Sequence, residues 1–406
     1  MARVSRPGFS YGWVVVAVSA TVNSLAWSVR STFGLFYVAL LGEFGWRRGD
    51  AAIGYSLSWL LLLLFSPLAG RFSDRWGARR LVAVGGLSLG AALVLSAQTT
   101  TLWHYYLAFG VLGAAGIGGI QTPAVAIVNR WFVRSRGAAM GIVSAGASAS
   151  AIIFYPLNAW LIVTFGWRVA FVVFGAMVAL VVIPLAGLFY RDPPAVDTAR
   201  APAGAGADAH DWTLARALRS RSFWAVFAMW GLGVVGYQIV TTHQVAHAVE
   251  RGFSPITLGW VFGLGGACTV AGNLLGGWLS DRWAREMVFA LGSAIGIAGI
   301  GALGALGGPE DVSLLLLYAA SGVGFGMRIA LLAAIPADLF AGRHLGVILG
   351  AAHGGGGLGG FIGPYLGGWL FDVTGSYRIA FVVAALTIAA SAVAAWMAAP
   401  RRSRVA

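Results

Sequence analysis

Long apolar runs follow one another along almost the whole chain, and they constrain its fold more than any other feature. Each run is long enough to cross about 30 Å of hydrocarbon as a helix. The runs are continuous rather than alternating, which favours transmembrane helices over the strands of a barrel. Only 10% of the 406 residues are charged and 59% are hydrophobic, whereas a soluble domain has about 25% charged residues. We therefore predict an all-α membrane protein.

Twelve predicted transmembrane helices divide into two groups of six. They cover residues 11–40, 51–70, 80–98, 103–128, 138–162 and 168–189, then 223–249, 256–279, 287–306, 312–337, 345–370 and 378–399. The longest polar stretch separates the groups and is rich in Pro, Ala, Gly and Asp, as flexible linkers are. We predict an N-terminal six-helix bundle at 1–189, a cytoplasmic linker at 190–221 and a C-terminal six-helix bundle at 222–406.

The two groups repeat each other in sequence. LAGRFSDRW at 68–76 matches LGGWLSDRW at 275–283, and GEFGWRRGDAAIGYSLS at 42–58 has the layout of VERGFSPITLGWVFGLG at 249–265. The repeats predict two pseudo-symmetric bundles with the same topology. Such parallel repeats are typical of transporters whose binding site lies between the halves, near the middle of the bilayer.

Arginines are distributed unevenly between the two sides of the predicted helices. All 27 basic residues are arginine, and most fall in one set of turns and at the chain termini. The positive-inside rule makes these turns and both termini cytoplasmic. We predict a multi-pass protein of a bacterial inner membrane, whose net charge of +13 reflects topology and not nucleic-acid binding.

Several classes of function lack the residues that they need. A chain without lysine has no Walker lysine, so ATP-driven transport is excluded. Cys268 is the single cysteine and cannot form an intramolecular disulfide, and His243 and His247 have no third metal ligand near them in sequence. No nucleophile and base stand together as an enzyme requires. We therefore expect no enzymatic activity, no metal and no cofactor.

GRFSDRWGARR at 70–80 resembles the loop between the second and third helices of the major facilitator superfamily. The residues that fit its pattern are Gly70, Asp74, Arg75, Trp76, Gly77, Arg79 and Arg80. The second copy fits through Gly277, Asp281, Arg282 and Trp283, with Ala284 in place of the second glycine. The resemblance implies two six-helix bundles around a cavity lined by helices 1, 4, 7 and 10.

Two longer stretches are similar to the monocarboxylate-porter and oxalate/formate-antiporter branches of that superfamily. They are RSTFGLFYVALLGEFGWRRGD at 30–50 and NRWFVRSRGAAMGIVSAGASASAIIFYP at 129–156. Members of those branches often hold the substrate carboxylate with an arginine in helix 8. Helix 8 of this chain, SPITLGWVFGLGGACTVAGNLLGG, carries no charge. An anionic substrate would therefore be held by other residues.

Two arginines lie deep in predicted helices, Arg30 in the first and Arg328 in the tenth, whereas no carboxylate does. An ionisable group inside the membrane is costly, so each is a candidate functional residue. By the resemblance, both helices line the central cavity, where two guanidiniums would attract an anion and fit a carboxylate. The absence of a buried acid argues against a cationic substrate. The alternative is that the arginines bond backbone carbonyls or extend outward to the membrane surface.

Four further polar residues are predicted to line the substrate site. Gln121 lies in helix 4, Tyr237 and His243 lie in helix 7, and His353 lies in helix 11 about where oxalate/formate carriers have a lysine. His243 and His353 are also candidates for carrying a proton, because histidine titrates near neutral pH. Packing and interhelical hydrogen bonds are the structural alternatives.

The repeated charged loops are predicted to act as gates. By the resemblance, Asp74 pairs with a basic or helix-terminal partner across the boundary between the halves when the outside is open, and releases it when the inside opens. Arg136 and the start of helix 11 near Arg343 are candidate partners. The other predicted gate residues are Arg75, Arg79, Asp281 and Arg282. Positive-inside anchoring alone explains the arginines but not the two acids.

The sequence predicts a secondary active transporter that works as a monomer. Its cargo is a small organic anion, with a monocarboxylate as the best choice, carried with a proton by alternating access. Three alternatives stay open: exchange of dicarboxylates or other anions, export of hydrophobic compounds, and a membrane sensor that does not transport. The sequence leaves the exact substrate and the direction of transport undecided.

Overall fold

The computed structural model describes residues 11–132, 135–193, 212–340, 342 and 344–398, and within these the chain is helical without β-strands. The helices are α1 (Tyr11–Ser31), α2 (Phe33–Phe44), α3 (Arg48–Trp76), α4 (Ala78–Ser96), α5 (Leu102–Tyr105), α6 (Gly113–Trp131), α7 (Arg136–Phe189), α8 (Leu214–Leu218), α9 (Arg221–Glu250), α10 (Pro255–Ser280), α11 (Arg285–Gly304), α12 (Val312–Ala320), α13 (Gly322–Leu339), α14 (Leu345–Thr374) and α15 (Arg378–Ala398). A π-helical segment, Tyr106–Leu112, joins α5 to α6.

Eleven helical stretches among the described residues are long and apolar enough to cross a membrane. One of them, Gly137–Phe189, has 53 residues and contains two spans, because Gly166 leaves the helical conformation with φ 83° and ψ 159°. Glycine adopts this positive φ without the steric cost that a side chain brings. Counting both arms of this stretch gives twelve spans, as the sequence predicts, and the predicted fold class is confirmed.

Three spans that the sequence treats as single helices are interrupted. The first divides at Thr32, whose backbone N–H and side-chain hydroxyl both donate to the carbonyl of Ser28, at 3.1 Å and 2.8 Å. The hydroxyl of Thr32 accepts a hydrogen bond from Asn158 of α7 at 2.9 Å. A side chain that competes for helix carbonyls bends a helix in this way. The fourth span contains the π-helical segment, and the tenth is interrupted at Ser321.

Residues 11–193 form the part of the molecule here called the N half, and residues 212–398 form the C half. The halves meet where α3 packs against α14, where α7 packs against α10, and where α2 packs against α9. Most of the predicted linker, at 194–211, lies outside the described residues. The boundaries of the two predicted bundles therefore stay a prediction, while the packing of α3, α7 and α2 against the C half places the candidate site.

Glycines let neighbouring helices approach closely inside the C half. A Cβ atom on Gly326 of α13 would lie 2.0 Å from the carbonyl oxygen of Thr269 in α10, and one on Gly272 would lie 2.0 Å from the carbonyl oxygen of Val323. These distances are far below van der Waals contact. Small residues at such crossings replace side-chain volume with direct backbone packing.

We predict that Gly326→Ala lowers the thermal unfolding midpoint of the protein in detergent. The added methyl group forces α10 and α13 apart, and overpacking of this kind costs about 1–3 kcal/mol. Gly301→Ala in α11 is the matched control, because a Cβ there meets no atom within 4 Å. Equal midpoints for the two variants would contradict the tight crossing.

Candidate functional site

One end of the molecule is closed by a hydrogen-bonded cap that joins the two halves. The side chain of Asp372, in α14, accepts the backbone N–H groups of Arg48 at 2.9 Å and Gly49 at 2.8 Å, at the start of α3. The first N–H groups of a helix lack partners within the helix and carry partial positive charge, so a carboxylate stabilises them. This cap differs from an ordinary one because the carboxylate comes from the other half.

The side chain of Arg48 strengthens the same closure. Its guanidinium donates to Glu250 at the end of α9 and to the hydroxyl of Tyr377, and it lies 3.6 Å from the ring centroid of Phe371. Three elements of the C half thus hold one arginine of the N half. The end that carries Arg48, Glu250 and Asp372 is called the sealed end below.

At the opposite end, called the open end, the ion pairs among the described residues stay within one half. In the N half, Arg130 pairs with Asp74 at 3.1 Å and with Asp192 at 3.2 Å. In the C half, Arg285 pairs with Asp338 at 2.9 Å. Among the residues that the structure describes, no ion pair joins the two halves at this end.

On the described parts of α14 and α10, close glycine contacts with the N half stop about midway along the helix. A Cβ on Gly357 of α14 would lie 2.3 Å from Leu63 of α3, whereas one on Gly350, two turns further along the same face, meets no atom within 4 Å. A Cβ on Gly266 of α10 would touch α7, whereas one on Gly277, three turns further, meets none. The space between the halves therefore widens toward the open end.

Polar side chains form hydrogen bonds between the two halves, on the side of this space that faces the sealed end. Gln238 of α9 donates to the hydroxyl of Tyr55 in α3 at 3.1 Å, and Gln244, two turns further along α9, donates to the hydroxyl of Tyr155 in α7 at 2.8 Å. Tyr318 of α12 donates to the amide oxygen of Gln244. Gln238 and the three tyrosines were not among the site residues predicted from the sequence. The available signal was their polarity inside apolar helices, where polar groups bond between helices.

Arg30 does not face the open space, unlike the sequence expectation. Its side chain is 5% exposed and lies inside the N half. One terminal nitrogen donates to the carbonyl and, weakly, the hydroxyl oxygen of Ser58 at 3.3 Å and 3.5 Å, and the guanidinium carbon lies 3.9 Å from the ring centroid of Trp59. The carbonyl of Ser58 and the aromatic face of Trp59 stabilise the charge of Arg30 in place of a carboxylate. The guanidinium therefore stays inside the N half and does not enter the space between the halves.

Arg328 also departs from the expectation of a shared cavity. It is 4% exposed inside the C half, where it donates to the hydroxyl of Ser391 at 3.3 Å and lies 5.0 Å from the ring centroid of Phe289. The absent side chain of Gly233 leaves the room for its guanidinium, because a Cβ there would lie 2.5 Å from it. Within the described residues neither deep arginine forms an ion pair, and their contact with substrate stays a prediction.

The other four predicted site residues lie at different depths. His243 is fully buried and its Nε2 lies 2.9 Å from the carbonyl oxygen of Pro364 near the sealed end, whereas His353 is exposed and its ring centroid lies 3.9 Å from that of Trp230. Tyr237 stacks on Phe325 with centroids 3.7 Å apart. Gln121 is half-buried on α6. The structure does not bring these four residues into one cluster.

The predicted gate residues differ between the two repeats. Asp74 pairs with Arg130 of its own half, and Arg75 and Arg79 are exposed beside it. Asp281 forms no ion pair with another described residue, and Arg282 lies over the ring of Trp278 at 3.9 Å. The side chain of Arg136 and the whole of Arg343 lie outside the described residues. The pairing of Asp74 across the halves stays a prediction.

We predict that Asp372→Asn opens the sealed end in a larger fraction of molecules. An amide accepts one N–H group with its single oxygen, so part of the cap and its charge are lost, which shifts the ratio of open to closed molecules about 5- to 30-fold. Spin labels on Gly42→Cys and Glu310→Cys, in a Cys268→Ser background, report the distance across this end.

Asp311→Asn is the matched control, because Asp311 accepts N–H groups only from Gly307 and Gly308 of its own loop. The distance distribution of this variant should equal that of the wild type. An unchanged distribution in Asp372→Asn would rule out the cap as the closing contact.

Two mammalian proteins are similar to this chain in sequence over most of its length. Monocarboxylate transporter 11 of Homo sapiens is 31% identical over 330 residues, which cover 78% of this chain and 68% of that protein. Monocarboxylate transporter 13 of Rattus norvegicus is 26% identical over 389 residues, which cover 94% and 87%.

The fold also matches the crystal structure of a bacterial homologue of the human lysosomal transporter Spinster in an inward-facing and occupied conformation. The TM-score is 0.75 with 15% sequence identity, and 97% of each chain is covered. The sequence profile of the Major Facilitator Superfamily matches residues 16–247 and 239–406, which is nearly the whole chain. The chain therefore belongs to the Major Facilitator Superfamily and is a transporter of that family.

Proposed function

We propose that the chain carries a small monocarboxylate together with a proton, by alternating access. The observation that carries this proposal is the identity of the deep charges: Arg30 and Arg328 lie inside the membrane region, and neither has a carboxylate partner among the described residues. A buried cation without a counter-ion favours an anion in its place. Similarity to monocarboxylate transporters over most of the chain supports the same substrate class.

The closed and open ends of the molecule fit one state of such a cycle. By the positive-inside rule, arginine placement supports a cytoplasmic open end, with Asp74 and Arg130, and both termini on that side. The proposed location is a bacterial inner membrane. The state described here is then inward-open. In this state both deep arginines are turned into their own halves, which suits a conformation that releases an anion.

Gln121, Tyr237 and the two histidines stay candidates for contact with substrate or proton, although they lie at different depths in this state. Each histidine has a ring nitrogen near a backbone carbonyl oxygen. His353 suits proton transfer better because it is exposed, whereas His243 is buried among aromatic rings. A proton on histidine or on the substrate offsets the charge of the anion. The transporter with bound substrate then changes between its two open states at a lower electrostatic cost.

Exchange of dicarboxylates is the second candidate. Two deep arginines without acids match two carboxylates as well as one, and an exchanger needs no proton carrier. Counterflow in proteoliposomes, with and without a pH gradient, separates exchange from symport. The assay uses a panel of radiolabelled acids that includes L-lactate, pyruvate and dicarboxylates.

We predict that Arg328→Ala lowers the uptake rate of a transported monocarboxylate at sub-saturating concentration about 10- to 150-fold. A charge-assisted hydrogen bond to a carboxylate contributes about 1.5–3 kcal/mol, which converts to that range. The measurement is uptake into proteoliposomes under an inward proton gradient. Ser391→Ala is the control, because it removes the present partner of Arg328 but keeps the charge. Full transport by Arg328→Ala would refute the role of Arg328.

We predict that His353→Gln abolishes the stimulation of uptake by an inward proton gradient. The substitution keeps a polar side chain but removes the group that titrates near neutral pH. Counterflow at equal pH on both sides should persist, because it needs no net proton movement. His243→Gln should keep the stimulation, since the structure buries His243 away from the open space. Stimulation that survives in His353→Gln would move the proton to the substrate or to another residue.

A further inference from the structure

The guanidinium of Arg30 is only partly satisfied inside the N half. Its Nε and one terminal nitrogen are buried without a hydrogen-bond partner among the described residues, and its hydrogen bonds to Ser58 are long. The nearest strong contact is the face of Trp59 at 3.9 Å, while Trp27 lies 5.9 Å away. Arg30 is therefore a cation with free donors, held mainly by an aromatic ring.

The space beside Arg30 is too small for a carboxylate. It is a cavity of about 10 Å³, lined by residues of the N half such as Leu89, Leu93 and Phe109, and it has room for about one water molecule. An organic anion cannot enter it without a rearrangement of the four N-half helices around it. Trp59 covers one face of the guanidinium, at 3.9 Å from its ring centroid.

Trp59 is placed by a contact with the other half of the molecule. A Cβ on Gly360 of α14 would lie 2.3 Å from the indole ring, so the ring rests directly on the glycine backbone. One turn further along α3, Leu63 packs in the same way on Gly357. Toward the sealed end, a Cβ on Gly368 would lie 2.6 Å from the backbone of Arg48. Withdrawal of α14 removes the support that presses the indole ring toward Arg30.

We infer that Trp59 is a positioning residue that controls when Arg30 meets the substrate, an inference that rests on the proposed function. While the sealed end is closed, α14 holds the indole ring over the guanidinium and excludes the carboxylate. When that end opens, the ring loses its support, and the free donors of Arg30 become available to the anion. Closure returns the ring to Arg30 and displaces the anion toward the open end.

The strength of the aromatic contact sets the size of the effect. A cation over an indole ring contributes a factor of about 2 to 30 in an equilibrium constant, depending on how far it is desolvated. The affinity of Arg30 for an anion should therefore be lower by about that factor when Trp59 covers it. Trp59 thus couples its contact with α14 of the C half to the substrate affinity of Arg30 in its own half.

Chemical labelling tests the shielding without knowledge of the substrate. Phenylglyoxal reacts with accessible arginine side chains, and mass spectrometry of the peptide that contains Arg30 gives its rate in the purified full chain. We expect the rate to rise about 2- to 30-fold in Trp59→Leu and to stay near the wild-type value in Trp59→Phe, which keeps an aromatic face.

A second variant addresses the contact from the other half. Asp372→Asn opens the sealed end in a larger fraction of molecules and should also raise the labelling rate of Arg30, even where Trp59→Leu fails to fold. Asp311→Asn is the matched control, because its carboxylate accepts N–H groups from Gly307 and Gly308 of its own loop. Equal labelling of Arg30 in wild type, Trp59→Leu and Asp372→Asn would overturn the inference.

Transport kinetics test the consequence for the anion. With L-lactate or pyruvate presented at the open end, Trp59→Leu should lower the half-saturation concentration about 2- to 30-fold and slow the maximal rate, because the anion stays on Arg30. Trp59→Phe keeps an aromatic face, so its half-saturation concentration and maximal rate should both stay near those of the wild type. Faster labelling with unchanged half-saturation would overturn the coupling to transport. If the wild type carries no acid of the panel, the proposed function fails, and the labelling alone decides whether Trp59 shields Arg30.

Discussion

The close packing of α3 against α14 is the contact on which the described state depends. Glycines on α14 bring its backbone against Trp59 and Leu63, and the same approach places Asp372 on the first N–H groups of α3. A side chain at these glycines would separate the helices by more than a hydrogen bond tolerates. The hydrogen bonds of Asp372 at the sealed end therefore depend on the close packing of α3 against α14. They form because the two helix backbones already lie in contact.

The two deep arginines show how a membrane protein keeps an unpaired charge. A carboxylate partner would neutralise each arginine permanently and leave nothing for an anion. Carbonyl, hydroxyl and aromatic contacts are weaker and exchangeable: Arg30 uses Ser58 and Trp59, and Arg328 uses Ser391 and Phe289. Each contact stabilises the cation enough to fold around it. None satisfies all the donors, since the Nε of both arginines has no partner.

The sequence predicted the number of spans and the presence of two arginines deep in helices, because hydrophobic length and rare charges are local properties. It did not predict where those arginines point. The direction of each arginine side chain depends on the rotation of its helix about the helix axis and on the conformational state of the two halves. Neither can be predicted from the residues of a single helix. The hydrogen bond from the backbone N–H of Arg48 to Asp372 was not predicted either. The two residues lie far apart in the chain, and each resembles an ordinary loop charge. Gln238 and Tyr55 were visible only as polar residues, without a partner assigned.

The internal repeat hides an asymmetry between the halves. In the N half the acid Asp74 lies in the last turn of α3 and the base Arg130 in the last turn of α6. In the C half the base Arg285 starts α11 and the acid Asp338 lies at the end of α13. The two interfaces differ as well. The glycines of α14 pack against the bulky Trp59, while Gly259 of α10 packs against the small Ala159 of α7. Within the described parts of these two interfaces, the aromatic ring that covers a buried charge is at the first, where Trp59 lies over Arg30. A rocking motion that moves both interfaces equally would therefore change the electrostatics at the first one.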